Sequence, residues 1–156
     1  ARGCLDRTGK GRYHSRFHMT VPEQPDVSLS LNWQGGQVFK GTSGGVSMTL
    51  DGTRETGPSP VQAMGFALAG CMAIDVVDVI GKGRLPVKAV SCDLRVFRAE
   101  ETPRRITRLN LHFVVKGEVP EDRVARAIEL SREKYCSVWH SLNPTIDFKT
   151  SFTVSS

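Results

Sequence analysis

The chain has 156 residues, of which 39% are hydrophobic and 24% are charged. These values fit one globular domain and exclude a disordered or fibrous chain. The longest uninterrupted apolar run, residues 63–74, is shorter than the roughly 20 residues that a membrane-spanning helix needs. Because the basic N-terminus is followed by no apolar signal segment, we expect a cytoplasmic protein with no membrane partner.

The net charge of +5 is concentrated at the N-terminus. Residues 1–18 contain five basic side chains and one acidic side chain, whereas the rest of the chain is almost balanced. Met19 reads like a natural start. We therefore predict that residues 1–18 are a disordered leader or an upstream extension, that residues 19–156 form the single domain, and that nucleic acid is not the partner.

Three short strands are predicted before the first helix. Apolar residues alternate with polar ones over residues 27–33, which is typical of a half-buried strand. Glycine-rich turns at 34–36 and 44–45 separate this strand from two more, at 37–42 and 46–50. The simplest arrangement of the three is an antiparallel meander.

A long helix is predicted from Pro60 to Ile80. Ser59 can be its N-cap, Gln62 falls at the third position of a capping box, and Gly81 can end it. Because this helix is apolar nearly all round, it must be buried on most sides, and a second copy of the chain is a natural cover.

The second half of the chain predicts two long strands, a helix and a final strand. The strands span 87–97 and 106–116, and the amphipathic helix spans 120–135, with Val124, Ile128, Ser131 and Tyr135 along one side. The last strand spans 145–154. The order β-β-β-α-β-β-α-β indicates an α+β domain.

The four cysteines, at positions 4, 71, 92 and 136, indicate thiols rather than a disulfide framework. No two have the C-x-x-C spacing of zinc or thioredoxin motifs. We therefore expect neither a bound metal nor a cofactor. Cys92, on an apolar strand face, is expected to be a core residue.

Cys71 and Cys136 are the candidates for thiol chemistry, although either could also be a small core residue. Cys71 lies deep in an apolar helix, so a reactive thiolate there needs a cation, from Arg54, Lys82, Arg84 or a partner chain. Cys136 lies at the end of a helix, where the helix dipole opposes a thiolate, and suits a resolving thiol.

Asp75 follows Cys71 by four residues and shares its side of the helix. It could orient a cation or a water molecule. More often, such a residue marks where a buried helix reaches solvent, and we favour that interpretation.

Several segments together resemble the OsmC/organic hydroperoxide resistance family of thiol peroxidases. They are Pro58-Ser59-Pro60, Ala69-Gly70-Cys71, the run 73–77 and the run 133–138. The resemblance implies an intertwined cytoplasmic homodimer. It also implies that Cys71 attacks an organic hydroperoxide, that Cys136 resolves the product, and that an external dithiol of small, protein-bound or lipoyl type reduces the pair.

Two positions differ from the pattern of that family. Its members carry an acidic residue after the proline that opens the helix, where this chain has Val61 followed by Gln62. They also carry an arginine in the first hairpin turn, which is absent here. Arg54, with Glu55 beside it, is the candidate substitute.

Two functions follow from these observations. The first is reduction of organic or lipid hydroperoxides through Cys71 and Cys136, in defence against oxidative stress. The alternative is a non-catalytic protein on the same scaffold, with Met64, Phe66 and Met72 near a pocket for a hydrophobic small molecule.

Overall fold

The computed structural model describes residues 24–156 and contains two three-stranded sheets together with a long central helix. The predicted α+β class and element order are confirmed, with one short extra helix before the last strand. The predicted leader, residues 1–18, and the predicted start at Met19 lie outside the described residues.

The first sheet is the predicted antiparallel meander. Its strands are β1 (Ser30–Gly35), β2 (Val38–Ser43) and β3 (Val46–Asp51), in the order β1-β2-β3. The connecting glycine pairs, 35–36 and 44–45, all have positive φ, a backbone conformation that glycine adopts without steric cost. The strand predicted for residues 27–33 is shifted, because β1 begins only at Ser30.

One face of this sheet is apolar and exposed in the single chain, which corrects the prediction of a half-buried strand. Strand pairing and side-chain alternation place its large apolar residues together on that face. They are Leu29, Leu31, Trp33, Phe39, Val46 and Met48, all between 40% and 70% exposed. We call this set the first-sheet face.

Asp51 closes β3 and organises the loop that leads into the helix. Its buried carboxylate accepts hydrogen bonds from the backbone N–H groups of Thr53, Glu55 and Thr56 and from both threonine hydroxyls, at 2.8–3.1 Å. These donors, led by the Thr56 N–H, hold the pKa of Asp51 far below its usual range.

We expect Asp51→Asn to destabilise the fold in a pH-dependent way. A depressed pKa in the folded state stabilises fully above the unfolded pKa, near 3.8, and this contribution is lost as the pH falls through the folded value. Urea unfolding at pH 7 should therefore show a lower free energy for the variant, with the gap from wild type narrowing below about pH 4. The exposed Asp78→Asn is the control, and an equal gap at pH 7 and pH 3 would contradict this account.

The central helix, α1, spans Pro60–Lys82 and begins with the predicted capping box. The Gln62 side-chain oxygen accepts from the Ser59 backbone N–H at 2.9 Å, and Ser59 Oγ accepts from the Gln62 N–H at 3.4 Å. The predicted end was wrong: Gly81 lies inside the helix and Gly83 is the C-cap. The residue after this cap, Arg84, has a left-handed backbone conformation, with φ of 53°.

Only one stripe of α1 is covered within the chain, so the predicted burial on most sides would need the cover of a second copy. The covered stripe is Gly65, Leu68, Met72, Val76 and Ile80. An opposite stripe, which we call the open helix face, is exposed and consists of Phe66, Gly70, Ile74 and Val77.

By length and composition only, α1 could cross a membrane, since an 18-residue stretch of it has a mean hydropathy of 1.9, so the expectation drawn from the shorter apolar run was wrong. Core helices of soluble proteins have the same property, and the absence of a membrane partner remains a prediction.

The second sheet packs against the covered stripe of α1. Its strands are β4 (Val87–Arg98), β5 (Ile106–Gly117) and β6 (Asp147–Ser155). β5 is central, antiparallel to β4 and parallel to β6. Its residues Leu109, Leu111, Phe113 and Val115 are almost fully buried and form the middle of the core with the covered stripe of α1.

The predicted helix over 120–135 consists of two parts and is followed by a short extra helix. An α-helix, α2 (Glu121–Leu130), is followed by one π-helical turn (Ser131–Tyr135) and, after Cys136, by a short helix, α3 (Ser137–His140). Val124, Ile128 and Ser131 lie on the buried side as predicted, but Tyr135 is 47% exposed. The wide turn explains this difference, because its i→i−5 bonding shifts the phase of the residues that follow.

Candidate functional site

The position of Cys71 is set by α1. It lies eleven residues from each end of the helix, or about 16 Å along the axis from either terminus. Its side chain is half-buried and packs against the core beside Met72. The thiol therefore retains access to solvent from a rigid element.

The position of Cys136 is set by the π-helical turn. Its backbone N–H donates to the Ser131 carbonyl at 2.8 Å, which is the i→i−5 bond of that turn. At Cys136 the backbone becomes extended, with φ of −69° and ψ of 93°, before α3 begins. The side chain is fully buried.

The fold brings these two thiols together with Asp75. The two sulfur atoms and one carboxylate oxygen of Asp75 all lie within 4.8 Å of one another. Sixty-five residues separate the cysteines in sequence. The packing of the end of α2 against the middle of α1 therefore assembles the cluster. From the sequence alone it was open whether the two thiols meet.

Asp75 is held in place by Ser131. The Ser131 hydroxyl donates to Asp75 Oδ2 at 2.8 Å, and Ser131 is fully buried. This bond joins α1 to the start of the π-helical turn. Asp75 is only partly buried, and its functional role stays a prediction.

The Cys136 thiol is strongly biased toward its protonated form. Burial, with a smaller contribution from the neighbouring Cys71, raises the pKa of Cys136 to about 11. The Trp139 backbone N–H, which donates to Cys136 Sγ at 3.4 Å, lowers the pKa but does not cancel the effect of burial.

The predicted supporting residues other than Asp75 do not join the cluster. Gln62 is used in the helix cap. Arg54 and Glu55 are exposed in the loop before α1, and their side chains form no hydrogen bond or ion pair within residues 24–156. Arg54 does have an unusual backbone, with φ of 68°.

The other candidate cations lie at the far end of α1. Lys82, the last residue of α1, is about 16 Å along the axis from Cys71, and Arg84 lies beyond it. Neither can neutralise a Cys71 thiolate in the same chain. Of the cation sources that the sequence suggested, only a partner chain remains.

Cys92 and Met72 lie close to their predicted surroundings to different degrees. Cys92 is half-buried on β4 with its sulfur 4.0 Å from the Ala69 carbonyl oxygen, and burial raises its pKa. It packs against the core as predicted, although it is not fully buried. Met72, which was expected near a ligand pocket, is instead completely buried.

Sequence reasoning missed Ser131 and the Trp139 N–H as parts of the site. Ser131 was recognised as lying on the buried side of its helix, and a serine among apolar residues on such a face was the available signal. No comparable signal predicts the Trp139 N–H, because it depends on a break in the helix.

Comparisons with known proteins agree with this architecture. Residues 51–151 match the family described as OsmC-like protein. The chain is 40% identical over 133 residues to Protein YhfA of Escherichia coli K12, a match that covers 82% of this chain and 98% of the relative.

Two solved structures illustrate the range of structural similarity. A hypothetical protein from Aquifex aeolicus VF5 superposes with a TM-score of 0.79 at 25% identity, over 85% of this chain and 99% of the other. An organic hydroperoxide resistance protein OsmC from Legionella pneumophila has the same fold, with a TM-score of 0.64 at 16% identity and coverage of 85% and 99%. The family match, the identity to the E. coli relative and the shared fold together establish that this chain belongs to the OsmC-like protein family.

Proposed function

We propose that this protein is a thiol-dependent peroxidase that reduces organic hydroperoxides through Cys71 and Cys136. The observation that supports this most directly is the position of the two sulfur atoms within 4.8 Å of each other. A disulfide requires the sulfur atoms to approach to about 2.05 Å, which needs only local movement from this arrangement.

The proposed reaction has three steps. The Cys71 thiolate attacks a peroxide oxygen, forming a sulfur–oxygen bond and releasing an alcohol as the oxygen–oxygen bond breaks. The Cys136 thiol then attacks the sulfenic acid, forming a disulfide and releasing water. An external dithiol finally reduces the disulfide by thiol–disulfide exchange and is itself oxidised.

The environments of the two thiols support this division of roles. Cys71 is half-buried and accessible to a peroxide, whereas Cys136 is fully buried. The pKa of Cys136, raised to about 11 by burial, keeps it a protonated thiol near neutral pH. A buried thiol of this kind reacts with a sulfenic acid formed beside it more readily than with a substrate in solution.

The choice of substrate and reductant is supported by resemblance. Structural neighbours bear the name organic hydroperoxide resistance protein, including OhrB of Bacillus subtilis. We propose an organic hydroperoxide as substrate, a small or lipoyl-type dithiol as reductant, and the cytoplasm as location. The reduced thiols that the cycle requires persist in that compartment.

We further propose that the protein acts as a homodimer. The first-sheet face and the open helix face expose large apolar residues on two separate surfaces of one chain. Gly70, at the centre of the open helix face, leaves open space where a side chain would otherwise be, which favours close approach of another helix. A second copy would cover both surfaces.

Titration of the reduced protein with cumene hydroperoxide and with hydrogen peroxide tests the peroxidase. We expect rapid loss of two thiols to a Cys71–Cys136 disulfide, mapped by mass spectrometry, and faster with the organic peroxide. Cys92→Ser is the matched control and should react like wild type. Slow oxidation, equal for both peroxides and spread over all cysteines, would rule out the enzyme.

A second candidate is a binding protein for a hydrophobic small molecule. A groove of about 420 Å³ lies at the end of the first sheet beside the start of α1. Its lining residues are Leu31, Gly36, Gln37, Phe39, Leu50, Gly52 and Pro60. Extraction of a fatty acid from the purified protein, without peroxide consumption, would favour this function over the peroxidase.

A further inference from the structure

We propose that Cys71, Asp75 and Cys136 form a three-ligand site for Zn²⁺ in the reduced protein. The spacing of the cysteines predicted no such site, because one ligand comes from a distant element. The site itself requires only the two reduced thiols and does not depend on the proposed peroxidase activity.

The arrangement brings three ligand atoms close to the spacing that a tetrahedral metal site requires. Cys71 and Asp75 are four residues apart on α1, so they project from the same side of one helix. Cys136 supplies the third ligand from the end of the π-helical turn. In a tetrahedral zinc site with zinc–sulfur bonds of about 2.3 Å, two sulfur ligands lie about 3.8 Å apart. Ligand atoms already within 4.8 Å need to close by at most about 1 Å.

The donor set favours zinc over the other common divalent metals. Two thiolates and one carboxylate form a mixed sulfur–oxygen set, which suits Zn²⁺ and disfavours Mg²⁺ and Ca²⁺. Binding would release the two thiol protons to solvent. Three protein ligands leave the fourth position for water.

Ser131 gives the site an outer-shell support. Its hydroxyl holds Asp75 Oδ2 at 2.8 Å and thereby fixes the orientation of the carboxylate toward the thiols. Hydrogen-bonded partners of this kind usually contribute about 10–100-fold to metal affinity.

Bound zinc would keep the pair reduced. Both sulfur atoms would be committed to the metal, so no disulfide could form between them until the metal leaves. This consequence, a reversible block of peroxide reduction, rests on the proposed function.

Cobalt substitution and zinc competition test the site directly, without any peroxide. The reduced full-length protein should bind one Co²⁺ per chain, with a thiolate-to-cobalt charge-transfer band and the visible bands of tetrahedral Co²⁺. Zn²⁺ should displace the cobalt, and a chromophoric chelator should give its affinity. Zn²⁺ should also protect Cys71, but not Cys92, from alkylation.

Variants decide which ligands are used. We expect Cys71→Ser and Cys136→Ser to weaken zinc binding by at least about 100-fold, and Asp75→Asn and Ser131→Ala by at least about 10-fold. Cys4→Ser, Cys92→Ser and the exposed Asp78→Asn are matched controls that should bind like wild type. Circular dichroism establishes that each variant is folded.

The proposal would be overturned by affinity that is unchanged in either Cys71→Ser or Cys136→Ser, by equal affinity of Asp75→Asn and Asp78→Asn, or by a cobalt spectrum without charge transfer. None of these assays contains a peroxide, so a negative result would not bear on the proposed peroxidase activity. In the same way, a negative result of the peroxide titration would not bear on the zinc site.

Discussion

Cys71→Ser is expected to abolish peroxide reduction, with a loss of at least about 1000-fold in the rate of organic hydroperoxide consumption, the scale expected when an enzyme loses its nucleophile. A serine hydroxyl is not ionised at neutral pH and cannot replace the thiolate. The measurement is cumene hydroperoxide consumption with an excess of dithiol. Unchanged turnover in this variant would remove Cys71 from the reaction.

Cys136→Ser should fail at a different step. The first oxidation, at Cys71, should proceed, but the sulfenic acid should accumulate because the partner thiol is missing. A sulfenic-acid trap detected by mass spectrometry should label Cys71 in this variant and label wild type far less. Loss of the first oxidation together with the second would contradict the assignment of Cys136 as the resolving thiol.

Local patterns predicted the elements of the fold well. Alternating residues and glycine turns predicted the meander, and the Ser59–Gln62 capping box predicted the first residue of α1. The end of α1 was misplaced because Gly81 remains helical, and glycine within a helix costs only about 1 kcal/mol relative to alanine. A helix of this length readily tolerates that cost.

The candidate site was predictable only in its two cysteines and in Asp75, which shares the Cys71 side of α1. The proximity of the two cysteines depends on how the end of α2 packs against the middle of α1, a contact between elements that no local pattern encodes. The π-helical turn is equally invisible in sequence, yet it sends Tyr135 outward and Cys136 inward. The same turn places Ser131 beside Asp75.

At the exposed apolar faces, the burial predicted from the sequence is greater than the burial within a single chain, and the difference has a physical reason. The sequence predicted a helix covered on most sides, and one chain covers only one stripe of it. The apolar pattern of a strand or helix records burial in the functional assembly, whichever chain supplies the cover. The mismatch therefore supports the proposed homodimer rather than an error in the helix prediction.

Phe66→Glu is expected to break that homodimer. Phe66 is 70% exposed in the single chain and lies on the open helix face. Burying a phenylalanine side chain is worth about 1.5–3 kcal/mol, and a buried glutamate adds a desolvation cost. Two such sites per dimer should raise the dimer dissociation constant by at least about 100-fold. Light scattering should give a mass near 17.1 kDa for the variant and twice that value for wild type.

Phe97→Glu is the matched control for this experiment. Phe97 is also exposed, but it lies on β4 next to Val96, whose side chain faces α1, so Phe97 points away from the helix. The Arg108 guanidinium carbon lies 4.0 Å from the centre of the Phe97 ring. A glutamate at this position would therefore keep a cationic neighbour. This variant should remain a dimer. A monomeric wild type, or equal dissociation of both variants, would count against α1 as the interface. A dimer that separates only in Phe66→Glu, and loses peroxide reduction as it does so, would indicate that the reaction at Cys71 needs the partner chain.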